Sequence, residues 1–122
     1  MTTRVFVINQ DDGERRWIQA ALAQRADEIV VMDDGTLFLA APPTISNACL
    51  ITTAEPDDAA TLRFVRELRE HGVALPVIVL GSHSAFRVAV DIARLPATNF
   101  LERPISATQL RAAVTKALKG AA

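Results

Sequence analysis

With 122 residues the chain is long enough to close one hydrophobic core and too short for two, so we expect a single domain over residues 1–122. Hydrophobic residues make up 50% of the sequence, which favours a sheet covered on both faces. The 13 basic and 14 acidic residues give a formal net charge of -1. Because no global field attracts nucleic acid or an anionic membrane, we expect neither partner for this domain.

Cysteine usage and the absence of a targeting signal indicate the cellular compartment. The single cysteine, Cys49, lies in an apolar run and excludes an intrachain disulfide. The N-terminal residues lack a basic stretch followed by an apolar signal core. No apolar segment approaches the roughly 20 residues that a membrane-spanning helix requires. These features predict a cytoplasmic protein.

The N-terminal half alternates short apolar runs with amphipathic stretches. Residues 5–8 predict a buried first strand, and apolar residues at helical spacing predict a first helix that begins at Glu14. Residues 28–32 predict a second strand, and a short second helix is expected after Gly35. Residues 48–52 stay apolar up to the closing threonine, which predicts a third and central strand.

The C-terminal half continues the alternation. Gly72 is expected in the C-cap position of the third helix, and Ser106 with Gln109 is typical of the N-terminus of the fifth helix. The third helix is predicted at residues 59–71, and further elements are predicted at residues 77–80 (strand), 85–95 (helix) and 99–101 (strand). The five β-α units predict an α/β fold with one doubly wound, five-stranded parallel sheet of flavodoxin-like strand order 2-1-3-4-5.

Four segments carry a specific pattern in chain order. They are residues 4–8 with the polar cluster after them, residues 49–52 with Pro56, residues 75–80 with His83, and residues 99–104. Together these segments resemble the receiver domain of bacterial two-component response regulators, in particular that of nitrogen-fixation-type transcription activators. The resemblance covers nearly the whole chain and implies a role in phosphorelay signalling.

The resemblance also identifies positions for phosphorylation chemistry. In that family, two acidic residues after the first strand and an aspartate that ends the third hold Mg²⁺, and this aspartate accepts the phosphoryl group. The matching positions here are Asn9, Gln10 and Thr52, which supply no carboxylate. The family's hydroxyl residue after the fourth strand matches Gly81, and its lysine matches Arg103. We therefore expect no metal, no cofactor and no catalytic residue.

The altered site predicts a pseudo-receiver that acts by docking onto proteins without aspartyl phosphorylation. The resemblance implies a sensor kinase or a downstream regulator as partner, and it assigns Phe100 to the family's switch aromatic. The family's usual partner surface corresponds to residues 85–95, 99–101 and 108–118, through which a homodimer is expected. Candidate interface residues on this surface are Phe86, Val90, Leu95 and Leu101.

Two other functions stay open at this point. One is a phosphotransfer domain that uses Asp11 or Asp57 as acceptor, with Arg103 as the phosphate ligand. The other is a small-molecule sensor whose pocket lies at the C-terminal ends of the strands, where open α/β sheets bind ligands. The sequence also leaves open whether the chain stands alone or is one domain of a longer protein.

Overall fold

Strands and helices alternate as the sequence predicts, except between the second and third strands, where residues 36–46 are not described. A computed structural model describes residues 2–35, 47–55, 57–82 and 86–120. Its strands are β1 (Arg4–Ile8), β2 (Glu28–Met32), β3 (Ala48–Thr53), β4 (Val77–Gly81) and β5 (Thr98–Glu102). The described helices are α1 (Asp12–Leu22), α2 (Asp58–Glu70), α3 (Phe86–Ala93) and α4 (Ala107–Gly120). Three predicted features lie outside the described residues: the short helix expected after Gly35, the residue Pro56, and the residue His83.

The five strands form one parallel sheet with the order β2-β1-β3-β4-β5. This confirms the predicted strand order, the flavodoxin-like fold and the central place of β3. Thr52 and Thr53 near the end of β3 pair with Val79 and Leu80 of β4. Because parallel strands end at the same edge, the loops after β1, β3, β4 and β5 come together there.

Hydrophobic clusters cover both faces of the sheet. On one face, Leu50 of β3 packs with side chains of α2 and α3, including Val65 and Ile92. On the other face, neighbouring residues of β3 pack with side chains of α1 and α4, including Ile18 and Leu110. Complete burial of such a side chain contributes about 1.5–3 kcal/mol. Within the described ranges, no helix is long and apolar enough to cross a membrane.

Cys49 belongs to the second of these clusters and is fully buried. Burial without a polar partner disfavours the thiolate and raises the pKa of the Cys49 thiol to about 12. The side chain is a free cysteine that packs as a small apolar residue.

The N-terminus of α4 has the predicted cap, whereas the end of α2 and the start of α1 differ from the prediction by one or two residues. The Ser106 hydroxyl accepts a hydrogen bond from the backbone N–H of Gln109 at 3.0 Å, and the Gln109 side chain accepts one from the Ser106 N–H at 2.8 Å. His71, and not the predicted Gly72, is the C-cap of α2; Gly72 comes next, with a φ of 74°, a conformation in which glycine is unstrained. Asp11 caps α1, so this helix begins at Asp12, earlier than predicted.

The ring of Phe100 on β5 lies directly over Gly81 at the end of β4. A Cβ atom added to Gly81 would meet Cζ of Phe100 at 2.4 Å and Cβ of Ala54 at 3.2 Å. The aromatic ring therefore occupies the space into which a side chain at position 81 would project. Position 81 therefore requires glycine because Phe100 packs against it, and not because of an unusual backbone conformation.

Replacing Gly81 by alanine is expected to destabilise the domain by about 1–3 kcal/mol, because the added methyl group overlaps the Phe100 ring. In a Phe100→Leu background the same replacement is expected to cost less, since the shorter side chain leaves room. Urea denaturation of the four proteins in this double-mutant cycle measures the coupling energy. An equal cost in both backgrounds would contradict the proposed steric conflict.

Candidate functional site

An open cleft of about 810 Å³ lies at the C-terminal edge of the sheet. The loops after β1, β3, β4 and β5 and the first turns of α1 form its walls. Its lining residues are Asn9, Gln10, Asp11, Glu14, Trp17, Thr53, Glu55, Ser82 and Arg103. Four of the residues identified from the sequence, Asn9, Gln10, Asp11 and Arg103, are thus brought together.

Arg103 lies between two carboxylates in this cleft. Its Nη2 donates a hydrogen bond to Oε1 of Glu14 at 2.7 Å, and its Nε donates to Oε2 at 3.1 Å. Its Nη1 donates to Oε2 of Glu55 at 2.7 Å. The planar guanidinium thus makes a bidentate ion pair with one glutamate and a single contact with the other. Hydrogen bonding to Glu14 above all raises the pKa of Arg103.

Glu55 connects the loops that follow three strands. One carboxylate oxygen accepts from Arg103 after β5, and the other accepts from the backbone N–H of Ser82 after β4 at 2.7 Å. Partial burial by itself raises the pKa of Glu55, but the hydrogen bonds from Ser82 and Arg103 together outweigh it and lower the pKa. The ionised carboxylate is therefore the form that this arrangement stabilises.

Asn9 positions the other glutamate. The side chain of Asn9 is buried, its Nδ2 donates to Oε1 of Glu14 at 2.6 Å, and its Oδ1 accepts from the N–H of Asp11 at 2.8 Å. Its carbonyl oxygen also accepts a hydrogen bond from Nε of Arg15. Amide donors and acceptors are both required for these contacts, so asparagine fits the position as a connector of β1, α1 and Glu14.

The two threonines of β3 have different environments. Thr52, at the position that the resemblance assigns to the phosphoacceptor, is 5% exposed and is not among the residues that line the cleft. Thr53 lines the cleft, and its hydroxyl donates to the carbonyl oxygen of Glu55 at 2.9 Å. Gly81 lies beneath the Phe100 ring, so these two sequence-identified residues contact each other rather than the cleft.

The residues predicted for an interface lie away from the cleft. Val90 on α3 is 38% exposed. Leu95 and Leu101 are partly buried and pack against the two hydrophobic clusters. Phe86 begins α3, and its side chain lies outside the described part of the structure. Val90 is thus the exposed large hydrophobic residue of the described surface.

The cleft residues do not fit a Mg²⁺ ion of the kind that the resemblance implies. Mg²⁺ prefers carboxylate and water oxygens in octahedral geometry. Here Glu14 and Glu55 are both paired with the Arg103 guanidinium, and Asp11 accepts the backbone N–H of Glu14 at 2.7 Å. Among the described residues, no group of three or more His, Cys, Asp or Glu side chains is arranged to bind a metal ion. The positive charge that these carboxylates bind is the guanidinium of Arg103.

Sequence reasoning missed Glu14, Glu55 and Trp17 as cleft residues. Glu14 stands 89 positions before Arg103, and Glu55 stands 48 positions before it. The available signal was their position just after the first and third strands, since residues there converge at one edge of a parallel sheet.

Known proteins with similar sequences are transcriptional regulators. The regulatory protein FixJ of Bradyrhizobium diazoefficiens is 24% identical over 99% of this chain and 60% of its own length. FixJ of Azorhizobium caulinodans is 28% identical over 93% of this chain and 54% of its own length. The chain thus spans somewhat more than half of these relatives. No protein-family model matches it.

The fold is also similar to that of solved structures. The crystal structure of the FixJ N-terminal fragment, FixJ-N, superposes with a TM-score of 0.81 at 22% identity and covers 98% of this chain and 95% of its own. Full-length FixJ from B. japonicum superposes with a TM-score of 0.79 at 25% identity over 98% of this chain and 59% of its own. In sequence and in fold, the chain thus resembles response-regulator receiver domains, among them that of FixJ.

Proposed function

We propose that this chain is an atypical receiver domain that acts by phosphorylation-independent protein–protein interaction and is not an enzyme. The observation that carries the proposal is the ion-pair network of Arg103 with Glu14 and Glu55. A receiver that takes up a phosphoryl group needs free cationic charge to stabilise the transferring oxygens. In this cleft, the cationic side chain is already neutralised by carboxylates of the same chain.

The residues at the end of β3 support the same proposal. Thr52 and Thr53 carry hydroxyl groups, which cannot form the acyl phosphate that an aspartate forms. Thr52 is buried, and the Thr53 hydroxyl is engaged with the Glu55 carbonyl. The position of the acceptor thus carries no carboxylate, and the basic residue Arg103 is neutralised. Both changes occur in a domain that keeps the receiver-like fold.

Contacts around β4 and β5 support a conformation that is fixed without phosphate. The Phe100 ring lies over Gly81, in the space that a hydroxyl-bearing side chain would fill. Glu55 joins the loop after β4 to the loop after β5 through Ser82 and Arg103. We infer that internal contacts keep the surface of α3, β5 and α4 in one state for docking.

The proposed partners are a sensor kinase or a downstream regulator, in the cytoplasm. The similar proteins are named as transcriptional regulatory proteins, which favours a role within a regulator of transcription. A homodimer through α3, β5 and α4 is a further part of the proposal. The exposed Val90 on α3, with the neighbouring charged Arg87 and Asp91, suits such a mixed interface.

Of the alternative functions, small-molecule sensing has a specific observation in its favour. The cleft is open, has a volume of about 810 Å³ and includes the partly buried Trp17 in its wall. Phosphotransfer through Asp11 or Asp57 is disfavoured, because both carboxylates cap helices through backbone N–H groups. A ligand-dependent change in Trp17 fluorescence would distinguish sensing from docking.

Titration with Mg²⁺ and beryllofluoride, which together mimic a phosphorylated aspartate, tests the main proposal. The amide NMR signals of Asn9, Thr53 and Arg103 are expected to stay in place, since no carboxylate acceptor is present and Arg103 is neutralised. Treatment with acetyl phosphate is likewise expected to leave no hydroxylamine-sensitive adduct. Saturable shifts confined to these residues, or an acyl-phosphate adduct, would overturn the proposal.

Replacing Glu55 by glutamine tests the network through its pH dependence. Because the pKa of Glu55 is lowered in the folded state, its ionised form stabilises the fold fully above its ordinary value of 4.5. This stabilisation is lost as the pH falls through the lowered pKa. Glu55 is 41% exposed, so solvent screening limits the expected loss to about 0.5–1 kcal/mol at neutral pH.

Thermal unfolding of wild type and the Glu55→Gln variant at a series of pH values measures this difference. The gap in stability is expected at neutral pH and should close in acid. Glu67→Gln, an exposed change on α2, is the matched control and should show no such trend. A gap that persists in acid would assign the effect to packing rather than to the charge.

A further inference from the structure

A second open groove, of about 650 Å³, lies along the outer face of α4 and is distinct from the cleft. Seven residues line it: Arg25, Thr108, Arg111, Ala112, Thr115, Lys116 and Lys119. Arg25 follows α1, so the groove lies on the side of α4 that faces α1 rather than α3. The groove shares α4 with the proposed docking surface but includes no residue of α3 or β5, so binding in the groove and docking through α3 can be tested separately.

Four cations converge in this groove. Arg25, Lys116 and Lys119 are exposed, and Arg111 is partly buried. No acidic side chain lines the groove among the described residues, and none of the ion pairs found between described residues involves these four. By contrast, Arg4, Arg15 and Arg103 each form an ion pair with a carboxylate, for example Arg4 with Glu28 at 3.2 Å. The groove is thus a local concentration of positive charge that has no ion-pair partner among the described residues.

The rest of the surface limits the kind of anion that fits. The molecule has a net charge of -1, so outside the groove acidic residues clearly outnumber basic ones. A long polyanion that extends past the groove would meet this negative surface. The described residues that line the groove also include no aromatic residue for base stacking and no large apolar residue for insertion into a membrane. A short anionic segment is favoured.

The dimensions fit an extended peptide. From Thr108 to Lys119 the helix rises about 16 Å at ~1.5 Å per residue. This length matches about five residues of extended chain at ~3.3 Å each. The hydroxyls of Thr108 and Thr115 add hydrogen-bond donors between the cations.

We propose that this groove binds a short, extended acidic peptide segment of a partner protein. Asp and Glu side chains of the segment pair with Arg25, which follows α1, and with Arg111, Lys116 and Lys119 along α4. Recognition is electrostatic and depends on salt, since these pairs are formed at the surface.

A fluorescein-labelled hexaglutamate peptide probes the proposal by fluorescence anisotropy with the full chain. We expect saturable binding at about 50 mM salt that is largely lost at about 300 mM. The double variant Lys116→Glu/Lys119→Glu should weaken binding about tenfold or more, because it reverses two of the four charges. Both residues are exposed, and circular dichroism checks that the fold is retained.

The matched control is Arg63→Glu/Arg66→Glu, two exposed cations on α2 that give the same change in net charge. This control should bind the peptide within about twofold of wild type. An equal loss in both double variants, or no binding to the wild type, would overturn the proposal. Tighter, groove-dependent binding to duplex DNA or to anionic vesicles would overturn it as well, in favour of a phosphate-bearing partner.

Discussion

The ion pairs of Arg103 with Glu14 and Glu55 are the interaction on which the site depends. A guanidinium beside a single carboxylate would leave donors unsatisfied in a partly closed cleft, whereas two carboxylates use three of its N–H groups. Each glutamate is in turn held by a second donor, Asn9 or Ser82. The loops after β1, β3, β4 and β5 are therefore joined by one charged network.

This network occupies the C-terminal edge of the sheet with internal contacts. In a parallel α/β sheet, that edge is the usual place for a ligand, because several loops and helix termini converge there. Here side chains of the protein itself satisfy the converging charges. The same architecture that serves phosphoryl chemistry in similar domains can thus serve as a structural connection between loops, which illustrates that function resides in the site and not in the fold.

The fold could be predicted from the sequence because its signals are local. Apolar runs at residues 77–80 and the Ser106–Gln109 pair each specify an element through a few neighbouring residues, and the structure contains both. The network could not be predicted, since the Glu14–Arg103 pair depends on two residues that lie 89 positions apart. Nor could sequence alone reveal that Thr53, and not Thr52, lines the cleft. The contact of Phe100 with Gly81 likewise depends on side-chain placement across two strands.

The buried Cys49 on β3 has a consequence for the chemistry of the whole domain. Its thiol lies between the sheet and the helices α1 and α4, with a pKa of about 12, so almost no thiolate exists at neutral pH. Oxidants and electrophiles react with thiolates that they can reach. In the native state this thiol is therefore inert, and it becomes reactive only in molecules whose sheet has separated from those two helices. The rate at which the Cys49 sulfur reacts with an added reagent is therefore a measure of how often the core opens.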